Sequence, residues 1–245
     1  QSEDQTFNIN VTSINDAPSF TTGSDEDVLE DSGLLNAHTV TDWATSISSG
    51  PPDESGQTLS FNVSNDNNSL FSVQPAISSS GDLTYTLAEH ANGTAEVIIN
   101  LSDNGGVSNG GANQSEDQTF NINVTSINDA PVFSSLPNNI TVNEGFSGTQ
   151  TVTVTPGDVP ADESDQTVIY SLSPSSVTFA TVVINSNNGA VSVDAVGDSS
   201  GNEIFTITAD DGGGTANGGV ETSTQTFSLT VNPVNDAPSF TTGSD

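Results

Sequence analysis

Apolar residues in this chain fall on every second position of short runs, and Gly-, Asn-, Asp- and Pro-bearing stretches separate the runs. A period of two is the pattern of a strand that buries one face. Residues 5–14 place Phe7, Ile9 and Val11 on one side, which predicts a half-buried strand. Val28 and Leu29 predict a short edge strand, and residues 39–47 a second strand around the only Trp, Trp43. Leu59, Phe61 and Val63 alternate, residues 70–77 carry a mid-run Pro75 that argues for an edge, and Leu83, Tyr85 and Leu87 alternate again. Val97, Ile99 and Leu101, then Phe120, Ile122 and Val124, complete seven strands in about 100 residues. The scheme returns with other letters at Ile140 and Val142, Val152 and Val154, Val168 and Tyr170, residues 179–184, 190–193 and 204–207, and Phe227, Leu229 and Val231. No run of ten or more residues has a helical period. Turn signals at roughly ten-residue spacing predict an all-β chain of tandem seven-stranded antiparallel Greek-key sandwiches.

One tetrapeptide punctuates the pattern. Asn-Asp-Ala-Pro stands at 15–18, 128–131 and 235–238, at intervals of 113 and 107 residues, and each copy has a Phe two residues past its Pro: Phe20, Phe133 and Phe240. Such intervals are the size of a small domain rather than of a solenoid repeat. Residues 1–18 match 114–131 letter for letter, and 18–25 match 238–245. The expected organisation is the last strand of a preceding repeat with its linker (1–17), one domain (18–128), a second (129–235) and the start of a further repeat (236–245), as in a window on a longer array. The strand at 5–14 would belong either to a continuous chain or to a neighbouring subunit that it completes by strand addition.

Composition narrows the chemistry. Thirty-two Asp and Glu face no Lys and no Arg, a formal charge of −32, so no Lys or Arg salt bridge can form and any carboxylate cluster must be hydrated, protonated or neutralised from solution. Nucleic acid is excluded as a partner, and anionic membrane surfaces are disfavoured, for want of cationic side chains. With 31% hydrophobic residues the chain can fill two thin cores but not one large one. There is no Cys, hence neither disulfide nor thiolate metal site, and no apolar run long enough to insert in a membrane. An acidic chain of this kind suits an extracellular setting.

Certain acids recur at equivalent places. Glu30 and Glu144 stand near the start of each domain; Asp53-Glu54 and Asp162-Glu163 share a loop after the second strand, each followed by Ser; Asp103 and Asp210 end the sixth strand before a Gly-rich loop; and each joint brings Asn-Asp. In a seven-stranded sandwich the loops after strands two and six lie at the end where the joint arrives, and the early Glu lies at the other. Carboxylates of adjoining domains are therefore expected to converge on each joint. Without a cationic side chain they call for a hard divalent ion taking six to eight oxygens, which describes calcium better than magnesium or zinc. Only His38 and His90 could serve zinc.

The Asn-Asp-Ala-Pro joint with its Phe, the early Glu, the Asp-Glu loop and the Gly-rich loop resemble the cadherin-like tandem repeats of giant bacterial surface proteins and adhesins, across both domains. That resemblance implies a Ca2+-rigidified repeat of a long extracellular fibre or adhesin stalk at the cell surface, with neighbouring repeats or subunits of the same protein as partners. It implies ligands Glu30, Glu89, Asn128, Asp129, Asp162, Glu163 and Asp210 at the central joint. The leading joint would use Asn15, Asp16, Asp53, Glu54 and Asp103, and the trailing joint Glu144, Asn235 and Asp236. Ser13, Ser126 and Pro233 stand where animal cadherins carry a further Asp. The alternative is a module that grips an unknown carbohydrate or protein surface ligand through its loops. No residues position a nucleophile beside His38 or His90, so an enzyme is not expected, and Trp43 and Tyr85 read as core.

Overall fold

The computed structural model describes residues 3–30, 37–135, 137–155, 157 and 160–241. The chain is all-β and divides into two compact units, Gln1–Ser126 and Ile127–Asp245. No helix among the described residues is long and apolar enough to cross a membrane.

In the first unit the strands are β1 (Ser19–Thr21), β2 (Glu26–Leu29), β3 (Ala37–Val40), β4 (Thr45–Ser48), β5 (Ser60–Asn65), β6 (Phe71–Ile77), β7 (Leu83–Leu87), β8 (Gly93–Ser102) and β9 (Gln118–Thr125). A four-stranded sheet runs β2-β9-β8-β5 and a three-stranded sheet β3-β7-β6, with β1 and β4 as a short extra pair. Between the sheets lies a core in which Leu83, Ala95, Val97, Ile99, Leu101 and Ile122 are wholly buried, with Trp43 and Tyr85 beside them. The alternation seen in the sequence is what fills it: every second residue of β8 and β9 points inward.

The second unit repeats the design with β10 (Ile140–Asn143), β11 (Gln150–Val152), β12 (Ile169–Ser173), β13 (Ala180–Ile184), β14 (Val191–Ala195), β15 (Gly201–Asp210) and β16 (Thr222–Asn232). Its sheets are β10-β16-β15-β12 and β11-β14-β13, around Val193, Phe205, Ile207, Phe227 and Leu229.

The structure departs from the sequence expectation at several points, the short β1/β4 pair among them. The pairs β2/β9 and β10/β16 are parallel, so the first strand of each four-stranded sheet runs beside the last in the same direction while the remaining pairs are antiparallel. The run 39–47 is two strands: Asp42 takes a positive φ of 54° and turns the chain, and Trp43 and Ala44 are both buried, which successive residues of one half-buried strand cannot be. Residues 5–14 form no strand, and Phe7, Ile9 and Val11 are 83, 76 and 89% exposed. The identical octapeptide at 118–125 is β9, where Phe120, Ile122 and Val124 fall to 4, 0 and 5%. Period-two patterning fixes which face would be buried, and a neighbouring sheet decides whether it is. Pro75 lies in β6, at the edge of its sheet, where the ladder shifts register around it.

Candidate metal centre

Each unit carries the same polar network at the end where its Asn-Asp joint arrives. In the first, the Asn15 carboxamide donates to Asp103 Oδ1 at 3.0 Å and to the Ala112 carbonyl at 2.5 Å, while Gln57 Nε2 donates to Asn15 Oδ1 at 2.6 Å. The Asp16 N–H donates to Glu54 Oε1 at 2.8 Å. In the second, Asn128 donates to Asp211 Oδ1 at 3.1 Å and to the Val220 carbonyl at 2.8 Å, Gln166 Nε2 donates to Asn128 Oδ1 at 2.7 Å, and the Asp129 N–H donates to Glu163 Oε1 at 2.7 Å. Main-chain bonds from Ala112 N to Asn15 O and from Val220 N to Asn128 O close both straps.

Local sequence builds the network. Pro51 and Pro160 open one-turn 3-10 helices at Pro52–Glu54 and Ala161–Glu163. In each, the Glu N–H bonds back to the Pro carbonyl and the Gln N–H to the Glu carbonyl, which turns Glu and Gln toward the joint. The facing Gly-rich loop needs glycine at two places. A Cβ on Gly105 would land on Asn15 Oδ1, and one on Gly213 on Asn128 Oδ1, far inside van der Waals contact.

The electrostatics leave an unmet demand. Glu54, Asp103, Glu163 and Asp211 are 4–8% exposed. Glu54 Oε2, Asp103 Oδ2, Asp211 Oδ2, Gln57 Oε1 and Gln166 Oε1 are buried without a hydrogen-bond donor. Burial pushes the Glu163 carboxyl above its ordinary range; the N–H of Asp129 opposes that, and the charges of Asp129, Asp162 and Asp211 add to it. An acceptor buried without a donor costs on the order of 1–3 kcal/mol, and more when it is charged. The orphaned atoms are all acceptors in a chain with no Lys or Arg, so a cation fits them and an anion does not. Among the described residues no three His, Asp or Glu side chains are gathered tightly enough to hold an ion by themselves. Amide, main-chain or water oxygens must therefore complete any shell.

The expected ligands divide as follows. Asn15, Asp16, Glu54 and Asp103 come together, and Asp53, exposed, accepts from Ser13 Oγ at 2.9 Å. Asn128, Asp129 and Glu163 come together with Asp162 close enough to act on Glu163. Asp210 does not join them: it is the last residue of β15, pairs with Ile169 and accepts from the Gly212 N–H at 2.9 Å. Its neighbour Asp211 holds the place that Asp103 holds in the first unit. The shared Asn-Gly-Gly turns, Asn109 and Asn217 with φ of 57° and 58°, put 103 in register with 211 and are the sequence signal for it. Gln57 and Gln166 were also missed, though both units spell Pro-x-Asp-Glu-Ser-x-Gln.

The remaining candidates lie elsewhere. Glu30 is fully buried at the end of β2, with its N–H on the Thr125 carbonyl and Asn92 donating to Oε2 at 3.3 Å. Glu89 is exposed beside His90 at 3.7 Å. Glu144 Oε1 accepts from the Val234 N–H at 2.6 Å, which ties down the chain leaving β16. Asn235 and Asp236 are exposed. His38 stacks on Tyr85 at 4.9 Å. Trp43 and both tyrosines, Tyr85 and Tyr170, are at most 4% exposed, so none presents a ring face for a sugar.

No family model and no curated protein matches the chain. Among solved structures it is similar to mouse cadherin-23 EC22-24, at 18% identity and a TM-score of 0.45 over 91% of this chain and 68% of that one. It is also similar to human protocadherin-24 EC1-2, at 19% identity and a TM-score of 0.42 over 90% of this chain and 99% of that one. The titin domains z1z2 in complex with telethonin match at 19% identity and a TM-score of 0.36, over 89% and 98%. At these values the likeness is one of sandwich architecture and carries nothing about ligands.

Proposed function

We propose that the chain is a structural repeat module of a long extracellular fibre or adhesin stalk of the bacterial surface, rigidified by calcium at its joints. The observation that carries this reading is the set of buried, donorless oxygens, Glu54 Oε2, Asp103 Oδ2 and Asp211 Oδ2, in a molecule without Lys or Arg. Calcium, when bound, supplies positive charge and six to eight oxygen positions at about 2.3–2.6 Å. The protein's part is to hold the joint against each sandwich: Asn15 and Asn128 are clamped through both ends of their carboxamides, which fixes the Asn-Asp backbone beside Glu54 and Glu163. Glu144 does the same for the chain leaving the second unit. Neutralising the carboxylates at each joint stiffens the passage from one repeat to the next.

Calorimetric calcium titration of chelator-treated protein, with small-angle scattering at each end point, tests this reading. The expected result is saturable binding with a longer, stiffer particle; scattering profiles that superimpose with and without calcium would overturn it.

A further inference from the structure

Gln57 and Gln166 are the neutral residues of the two networks that, like the carboxylates beside them, keep an oxygen without a donor. Each spends its amide N–H on a joint Asn, at 2.6 and 2.7 Å, and leaves its Oε1 buried without a donor. A side chain needed only as a donor has no reason to bury its acceptor, because that acceptor costs free energy in the apo state. In the second unit a cavity of about 30 Å³ lies at this place, with Glu163, Gln166 and Asp211 on its polar side and Pro131, Val168 and Tyr170 among its apolar walls. That is room for about one water-sized occupant. The donorless atoms there, Gln166 Oε1 and Asp211 Oδ2, are both acceptors, and the first unit presents three: Glu54 Oε2, Gln57 Oε1 and Asp103 Oδ2. One water's two hydrogens would leave one of the first unit's three acceptors unmet, whereas a hard cation accepts carboxylate and amide oxygens together in both units. The scarcity of tightly grouped carboxylates among the described residues asks for such an amide.

We infer that Gln57 and Gln166 are direct oxygen ligands of the cation in their own units, each using one amide for two tasks: Nε2 orients the joint Asn and Oε1 coordinates the ion. The inference rests on the calcium reading above and adds to it a neutral ligand drawn from the Pro-x-Asp-Glu-Ser-x-Gln turn. A neutral amide among carboxylates lowers the charge the site must carry when empty.

The test uses the full chain and calcium alone as probe, with Gln57→Met, Gln166→Met, Gln57→Glu and Gln166→Glu titrated by calorimetry. Met removes both tasks. An ionised Glu keeps the oxygen but cannot donate to Asn15 or Asn128. The inference expects about a tenfold or greater weakening at the altered site with Met and affinity within a few-fold of the parent with Glu. Glu variants as weak as the Met variants would reduce the glutamines to Asn-positioning groups and overturn the inference, and so would Met variants that bind like the parent. If the parent itself takes up no calcium, the calcium reading fails along with it. Should a variant not fold by circular dichroism, crystals of the parent grown with calcium decide: Oε1 within about 2.6 Å of the ion upholds the inference, and a water between them refutes it.

Discussion

Asn128 donates its side-chain amide to Asp211 across 83 positions of sequence, and Asn15 repeats the contact with Asp103 across 88. The joint is thereby fastened to the Gly-rich loop of the sandwich it leads into. In each case the same nitrogen also reaches a main-chain carbonyl of that loop, so one residue holds two acceptors of the loop at once. Asn128→Ala should therefore lower the stability of the second unit by about 2–4 kcal/mol, the net worth of one charge-assisted and two neutral hydrogen bonds. Urea unfolding monitored by hydrogen exchange in each unit reads this out. A loss spread equally over both units would speak against a local strap.

The close approach of the joint to glycine gives a second prediction. Gly213→Ala and Gly105→Ala both drive a methyl into the Asn carboxamide, and each should destabilise its own unit by about 1–3 kcal/mol. Gly56→Ala is the control: a Cβ there meets nothing within 4 Å and the backbone is not left-handed. It should be neutral or stabilise by up to about 1 kcal/mol, and thermal melting of the three variants provides the comparison.

Two identical octapeptides should differ sharply in their response to one mutation. Phe120→Ala empties a core position that is 4% exposed and should cost about 3–5 kcal/mol. Phe7→Ala, in the same eight letters but 83% exposed, should stay within about 0.5 kcal/mol of the parent. Chemical denaturation separates them, and a large cost at Phe7 would mean that the segment packs against something in solution.

The pH dependence in the absence of metal follows from Glu163. Its carboxyl titrates above the ordinary 4.5 in the folded unit, so its ionised form is held less favourably in the fold than in the unfolded chain. The resulting penalty is fully present above the raised folded value, shrinks as pH falls toward 4.5, and is gone below it. Metal-free protein should gain stability in the second unit on acidification from neutral pH toward the ordinary 4.5, and Glu163→Gln should flatten that rise. Thermal midpoints across this pH range, with chelator throughout, make the measurement.

Much of the fold was legible because period-two alternation reports directly on a buried sheet face: Val97, Ile99 and Leu101 in β8 and Phe227, Leu229 and Val231 in β16 lie where the pattern puts them. Alternation is silent on strand direction, so the parallel β2/β9 and β10/β16 pairs were not foreseen. It is equally silent on whether a partner sheet is there, as residues 5–14 demonstrate. At the joints the acidic residues stood out because no Lys or Arg could balance them. Gln57 and Gln166 did not, since a neutral amide leaves no mark on charge, and Asp210 and Asp211 are indistinguishable until the Asn-Gly-Gly turns are aligned.

The most direct measurement is the thermal midpoint of chelator-treated protein as calcium is added back. If buried donorless oxygens at each joint hold the ion, the midpoint rises with calcium concentration, by the equivalent of about 2.7 kcal/mol per site at a hundredfold excess over the dissociation constant. Glu54→Gln combined with Asp211→Asn abolishes the rise. A midpoint that does not move between chelator and millimolar calcium would contradict the account.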